Sequence, residues 1–384
     1  MSAPFRRIDT QLVHAGEPLP RIAGAVEMPI FQSATYEYAG EGSYHDVRYL
    51  RTNNTPSQLA LHEKIAALEG AAAALVTASG MAAITTTLLT VLAPGDHLLA
   101  QRCLYGGTHD FVTSEFARLG IACDFIDADR RDTWRDRLRP NTRAVYVEAM
   151  SNPLLEVPDL EGIAQFARDH RLTALIDNTF ATPVNFRPLA LGFDLSLHSA
   201  TKYLNGHSDI VAGAVAGDAA TIERIRHTAN HLGGSLDPHA AFLLKRGLKT
   251  LALRVRFQNE STLKVAQFLE AHPAVARVNY AGLASHPGYE RARRLFAGCG
   301  GVLSFELEGP PERAEEFAHR VRIPTVAPSL GGVHTLLTRP ATTSHAGLAR
   351  AERERLGISD ALLRLSVGIE ATEDLLEDLK QALG

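Results

Sequence analysis

The stretch Leu195-Ser196-Leu197-His198-Ser199-Ala200-Thr201-Lys202-Tyr203 decides how the rest of the chain is read. Leu195–His198 has the texture of a buried strand, and it runs straight into a turn of small hydroxyl residues that holds a lysine. Lysine is rarely buried without a partner or a task. Burial lowers the pKa of its amine and leaves a nucleophile able to condense with an aldehyde. A surface lysine that happens to follow a strand is the plain alternative, and the small apolar flanks fit it poorly.

Outward from this stretch, short apolar runs alternate with amphipathic ones. Residues 72–77, His97–Gln101, 143–148 and 174–176 read as further strands, and Leu160–His170 reads as a helix between two of them. Such alternation favours a largely parallel sheet with helices on both faces. Thr55-Pro56 opens another helix, with Thr55 placed to cap and Pro56 suited to the first helical position. Leu61, Ile65 and Leu68 keep helical spacing, and Gly70 ends the run. Residues 1–48 show no sustained period and read as an extended arm. Past residue 245 the texture changes: residues 257–272 and 312–322 read as helices, and 302–308 as an alternating strand. The expected organisation is an N-terminal arm (1–50), a large α/β domain (51–245) and a smaller α+β domain (246–384).

In a parallel α/β sheet, ligands bind beyond the carboxyl ends of the strands. Three such ends carry chemistry here. Residues 72–77 lead into Ala78-Ser79-Gly80-Met81, a small-residue turn opening a helix whose free N–H groups suit a phosphate. Packing alone also wants glycine at such a turn, so this signal is weak by itself. Asp177 follows the strand at 174–176, where a carboxylate needs a cation or several donors. A helix cap is the bland reading of a lone aspartate there. Lys202 ends the third strand. A phosphate cradle, an acid for a pyridine nitrogen and an amine for an aldehyde together match what pyridoxal 5′-phosphate (PLP) requires.

Two rival motifs compete for the same residues or nearby ones. Ser199-x-x-Lys202 matches the S-x-x-K of serine acyl hydrolases, yet neither S-D-N nor K-T-G occurs in the chain. His227 and His231 stand four residues apart, the spacing of two zinc ligands on one helix face. The sequence marks no third ligand and no HExxH, so this pair reads as part of a polar helix face and no metal is expected.

The 384 residues are 45% hydrophobic and 21% charged, with a formal net charge of −4 and scattered basic residues. No basic tract suggests nucleic acid, and no apolar run is long enough for a membrane span. The three cysteines, Cys103, Cys123 and Cys299, form no CxxC and suggest no disulfide framework. Free thiols and an N-terminus without a signal-peptide core point to the cytoplasm.

The run from Ser199 to Asp209, Ser-Ala-Thr-Lys-Tyr-Leu-Asn-Gly-His-Ser-Asp, resembles the PLP-attachment signature of the Cys/Met metabolism (transsulfuration) enzymes. The likeness extends from Leu12-Val13-His14-Ala15-Gly16 to Leu365-Ser366-Val367-Gly368-Ile369-Glu370. It implies a PLP-dependent aminotransferase-like fold and a small amino-acid substrate. By resemblance, Gly80, Met81, Ser199 and Thr201 bind the cofactor phosphate, and Tyr49 and Arg51 reach the phosphate of a neighbouring subunit. The resemblance thus implies active sites shared within a dimer, and dimers paired into a homotetramer. It also implies that Tyr105 stacks on the ring and serves as an acid/base, and that Asp177 pairs with the ring nitrogen. Asn152, Ser329 and Arg364 fall to the substrate, Arg364 as a clamp on its carboxylate.

Substrate choice is less sharply implied. Gly107 stands where methionine γ-lyases carry cysteine, which disfavours methionine cleavage. Ala327-Pro328 precedes Ser329-Leu330-Gly331-Gly332, where γ-lyases often place glutamate. His334-Thr335 departs from the usual Glu-Ser or Glu-Thr and reads as a tolerated support position. The expectation is a carbon–sulfur lyase acting on cystathionine, by γ- rather than β-elimination. A γ-replacement synthase using an activated homoserine ester is the runner-up, and a non-PLP acyl hydrolase or a non-catalytic PLP-binding protein is the distant alternative.

Overall fold

The computed structural model describes residues 5–347 and 349–384. Seven strands build the larger sheet: β1 (Ala73–Thr77), β2 (His97–Gln101), β3 (Ala122–Ile126), β4 (Thr142–Glu148), β5 (Thr173–Asp177), β6 (Leu195–His198) and β7 (Gly213–Gly217). Their spatial order is β1-β7-β6-β5-β4-β2-β3. From β3 to β6 all pairings are parallel, whereas β7 runs antiparallel to both of its neighbours. Successive side chains point to opposite faces, and here both faces are apolar. Val145, Val147 and Ile176 enter one core layer, and Tyr146, Leu175 and Leu197 enter the other. That two-sided burial explains why these strands read as near-continuous apolar runs.

Helices cover the sheet. Among them are α1 (Pro56–Glu69), α2 (Gly80–Val91), α3 (Leu160–His170), α4 (Ala219–Leu232) and α5 (Leu251–Glu270). The Thr55–Gln58 capping box and the left-handed Gly70 bound α1 as its sequence suggests. A second sheet holds β8 (Val275–Asn279), β9 (Val302–Leu307), β10 (Thr325–Val326), β11 (Leu336–Thr338) and β12 (Leu362–Ser366). Its order is β10-β11-β12-β9-β8, antiparallel except for β10 with β11. Its own apolar cluster includes Phe305, Phe317, Leu337 and Leu363. Tyr203, next to Lys202, is buried and its hydroxyl accepts a 2.8 Å bond from the Gly301 N–H, so the lysine turn is fastened to the start of β9's segment.

Three sequence expectations need adjustment. The N-terminal stretch is not extended throughout, because Ile8–His14 forms a helix with Leu12 buried. Lys64, buried on α1, donates to the Leu12 carbonyl at 2.8 Å and so satisfies an acceptor near that helix end. The expected helix at 257–272 starts earlier, as Leu251–Glu270. Strands β3, β7, β8, β10, β11 and β12 have no counterpart among the strands expected from the sequence.

Candidate active site

Beyond the carboxyl ends of β1, β4, β5 and β6 lies a cavity of about 570 Å³. It is lined by Gly80, Met81, Tyr105, Asn152, Asp177, Ser199, Thr201, Lys202, Ser329 and Arg364, which are ten of the twelve residues expected at a site. Tyr49 and Arg51 do not line it. They sit together on another surface, where Arg51 Nη1 donates to the Asn230 carbonyl at 2.5 Å and its guanidinium lies 5.7 Å from the Tyr49 ring centre.

Lys202 follows β6 in a turn, with its N–H donating to the Ser199 carbonyl at 3.1 Å. Its Nζ donates to Ser329 Oγ at 2.8 Å. Burial, and secondarily the Arg364 charge, lower its pKa to about 8. Ser329 is held at φ +93°, a strained conformation for a residue with a side chain. Its two oxygens are both engaged, Oγ by Lys202 and the carbonyl by Arg364 Nη2 at 2.9 Å. Ser329, not Ser199, therefore partners the lysine, which removes the pairing an S-x-x-K hydrolase would use.

Arg364 comes from β12 and crosses to the cavity. Its Nη1 donates to Asn152 Oδ1 at 3.0 Å, and its Nε is buried with no hydrogen-bond partner among the described residues. Both acceptors are neutral. Burial lowers the guanidinium pKa to about 10. A buried cation whose Nε–H has no partner among the described residues is suited to a carboxylate ligand.

Asp177 ends β5, pairing in register with Glu148 at the end of β4. Burial raises the pKa of Asp177, opposed by the bond its Oδ1 accepts from the Thr179 N–H at 2.9 Å. Burial, and then the charge of Asp177, push Glu148 well above the ordinary carboxylate range. Two adjacent buried carboxyl groups call for a cation. Glu148 was missed in the sequence, although it follows an apolar strand just as Asp177 does. Its Oε1 accepts the Tyr105 N–H at 2.5 Å and so fixes the backbone beneath the Tyr105 ring, which is 42% exposed.

At the third strand end, Ser79 caps α2 by accepting the Ala82 N–H at 3.0 Å. That leaves the N–H groups of Gly80 and Met81 without intrahelical partners. A side chain at Gly80 would come within 2.8 Å of Ser199 Cβ, so the helix start and the lysine turn converge too closely for anything larger. The Thr201 hydroxyl is already bonded to both backbone groups of Ala212. An anion cradle, a buried carboxylate seeking a cation and a depressed lysine in one cavity fit the phosphate, ring nitrogen and aldehyde of PLP. Thr343 and Ser344 complete the cavity wall and were not anticipated. His334 is exposed and lies in an adjoining groove, while buried Thr335 donates from Oγ1 to Glu370 at 2.7 Å.

Comparison with known proteins agrees in kind. Residues 9–384 match the family described as Cys/Met metabolism PLP-dependent enzyme. The chain is 42% identical over 375 residues to a cystathionine γ-lyase of Bacillus subtilis, covering 97% of this chain and 98% of that protein. It is equally 42% identical over 377 residues to a cystathionine β-lyase of Lactococcus lactis, covering 98% of each. A solved cystathionine γ-lyase from Lactobacillus plantarum, complexed with L-serine, superposes with a TM-score of 0.93 at 36% identity and 98% coverage of both chains. With nearly the full length matched, this chain belongs to the Cys/Met metabolism PLP-dependent enzymes.

Proposed function

We propose that the protein cleaves a carbon–sulfur bond of cystathionine by γ-elimination, releasing cysteine, 2-oxobutyrate and ammonia. The observation that carries this reading is the meeting of Lys202, Asp177 and Arg364 in one cavity. When bound, PLP supplies an electron sink for the charge left on a deprotonated α-carbon. Arg364, steadied by Asn152, holds the substrate carboxylate. Lys202, an amine depressed to about 8, would take the proton from Cα, hand it on to the cofactor's aldehyde carbon and so regain the neutral form that takes a second proton from Cβ. Ser329 Oγ, 2.8 Å from Nζ, keeps that amine aimed into the cavity between transfers. Asp177 holds the proton on the ring nitrogen, and Glu148 sets the height of the Tyr105 ring. The Tyr105 hydroxyl protonates the departing sulfur. Gly80, Met81, Ser199 and Thr201 bind the phosphate, and Tyr49 and Arg51 reach the phosphate in a second subunit of a cytoplasmic homotetramer.

The choice of γ- over β-elimination leans on the γ-lyases among the similar proteins, and the β-lyase relatives keep the second reading in play. Product analysis with cystathionine decides between them. Cysteine with 2-oxobutyrate is the expected outcome. Homocysteine with pyruvate would establish β-elimination, and turnover only of an activated homoserine ester with a thiol would establish γ-replacement.

A further inference from the structure

Far along the chain from Lys202, the fold supplies what the His227–His231 pair lacked. His45 lies on a short 3-10 turn, Tyr44–Asp46, that packs on α4 beside both of them. The three side chains each offer a ligand nitrogen, and these all fall within 4.8 Å of one another. The His45 ring centre is 3.9 Å from that of His227 and 5.4 Å from that of His231, and the two helix rings are 4.8 Å apart. We propose that His45, His227 and His231 form a binding site for a divalent transition metal of the zinc class, clasping the 44–46 turn to helix α4.

The chemistry matches. Neutral imidazoles are preferred ligands for zinc, copper and nickel, and three with an open fourth position make a common zinc set. His227 and His231 are exposed and His45 is half-buried, so water has access to the fourth position. Zinc–nitrogen bonds of about 2.0–2.1 Å in a tetrahedron put ligand nitrogens about 3.3 Å apart. Nitrogens already within 4.8 Å reach that spacing through modest torsional adjustment of two exposed side chains.

The turn is held in place without the ion. The His45 carbonyl accepts from Arg226 Nη1 at 2.8 Å, and the Asn230 amide lies 3.4 Å from His45 Nδ1. Arg226 would repel a dication, but its charge is met by Glu223 at 2.5 Å and Asp46 at 3.5 Å. Packing alone explains an i, i+4 pair on a polar helix face. It does not require a third imidazole from a segment more than 180 residues earlier to bring its nitrogen to the same point.

The clasp has a consequence that rests on the proposed function. Arg51 also bonds to α4, at the Asn230 carbonyl, so metal binding would order the segment that presents Tyr49 and Arg51 to a second subunit. The site itself does not depend on that reading.

The test uses untagged, full-length holoenzyme, equilibrated with ZnCl₂ and separately with CoCl₂, after exhaustive chelation. One zinc per chain and the visible absorption of low-coordinate cobalt are expected. His45→Ala, His227→Gln and His231→Gln should each weaken zinc binding by on the order of 100-fold, at least the loss caused by removing a supporting residue around a metal site. Because the chain has 16 histidines, the variants carry the assignment rather than stoichiometry alone. Absence of stoichiometric zinc binding overturns the proposal. So does tight binding that survives His45→Ala, or, should that variant fold poorly, binding that survives both helix substitutions. Failure of the cystathionine assay leaves these readouts untouched, so the two readings fall separately.

Discussion

Replacing Arg364 with methionine separates binding from stability, because this arginine is costly to the empty protein. Burial lowers its pKa from the ordinary guanidinium value to about 10, which corresponds to about 3 kcal/mol against the charged form. The sign follows from a base depressed in the folded state: the penalty is fully present below pH 10 and disappears only as the pH passes the unfolded value. At neutral pH, Arg364→Met therefore relieves about 3 kcal/mol. Against that stands the loss of two bonds to neutral acceptors, Asn152 Oδ1 and the Ser329 carbonyl, each worth about 1.5–3 kcal/mol for a charged donor. The terms largely oppose, and the cofactor-free protein should melt within about 4 °C of the parent. Substrate binding is different. Losing one partner of a buried, hydrogen-bonded charge pair costs about 2–5 kcal/mol, or roughly 30- to 5000-fold in kcat/KM for cystathionine cleavage followed by keto-acid release. A loss below threefold would refute the carboxylate clamp. So would an activity loss matched by a collapse in melting temperature, since Arg364 would then be structural.

Other expectations follow from single contacts. In cofactor-free protein, acetylation of Lys202 followed by peptide mass spectrometry should rise with pH and reach half its limit near pH 8, because the reactive neutral amine dominates above its pKa of about 8. A midpoint near that of exposed lysines would contradict the burial argument. Gly80→Ala would bring Cβ within 2.9 Å of Ser199 Cα and force backbone movement, at a cost of about 1–3 kcal/mol. PLP affinity measured by fluorescence titration should drop about tenfold or more, and an unchanged affinity would count against the cradle. Gly107→Ala would place Cβ 2.7 Å from Tyr105 Cε1, so the ring must shift. Steady-state kinetics should show a lower kcat with near-parental stability, whereas parental kcat would remove Tyr105 from the proposed acid/base role.

What could be read in the sequence followed from local signals. β2 and β6 match their expected bounds because short apolar runs bounded by polar turns have few other solutions, and α3 does because Leu160, Ile163, Ala164 and Ala167 recur at helical spacing. Lys202 and Asp177 were legible because a charged residue after a buried strand is costly without a reason. Glu148 obeys the same rule, but in the sequence it reads only as the end of a strand, because its value lies in the Tyr105 N–H that the fold brings to it. β7, Gly-Ala-Val-Ala-Gly, hides because glycine weakens a strand. Only the fold reveals the need for it: a Cβ at Gly213 would lie 2.1 Å from the Ser79 carbonyl. β3 escaped because Cys123 and Asp124 sit on a half-buried edge strand and break the apolar pattern. Thr343, Ser344 and His45 reach their neighbours through tertiary packing, which no local period encodes.

The antiparallel strand of the larger sheet, β7, has a bearing on synthesis. β1 carries the turn that leads to Gly80 and Met81, yet its one neighbour in the sheet is β7, with Ala73 opposite Gly217 and Thr77 opposite Gly213. About 140 residues of chain must therefore emerge before the first strand can find its seat, a loop closure that delays its docking relative to the β2–β4–β5 block. Nascent chains ending before residue 213 should hold the central strands but not an ordered phosphate cradle. The cofactor pocket is thus assembled late, from a piece made early that must wait for its partner.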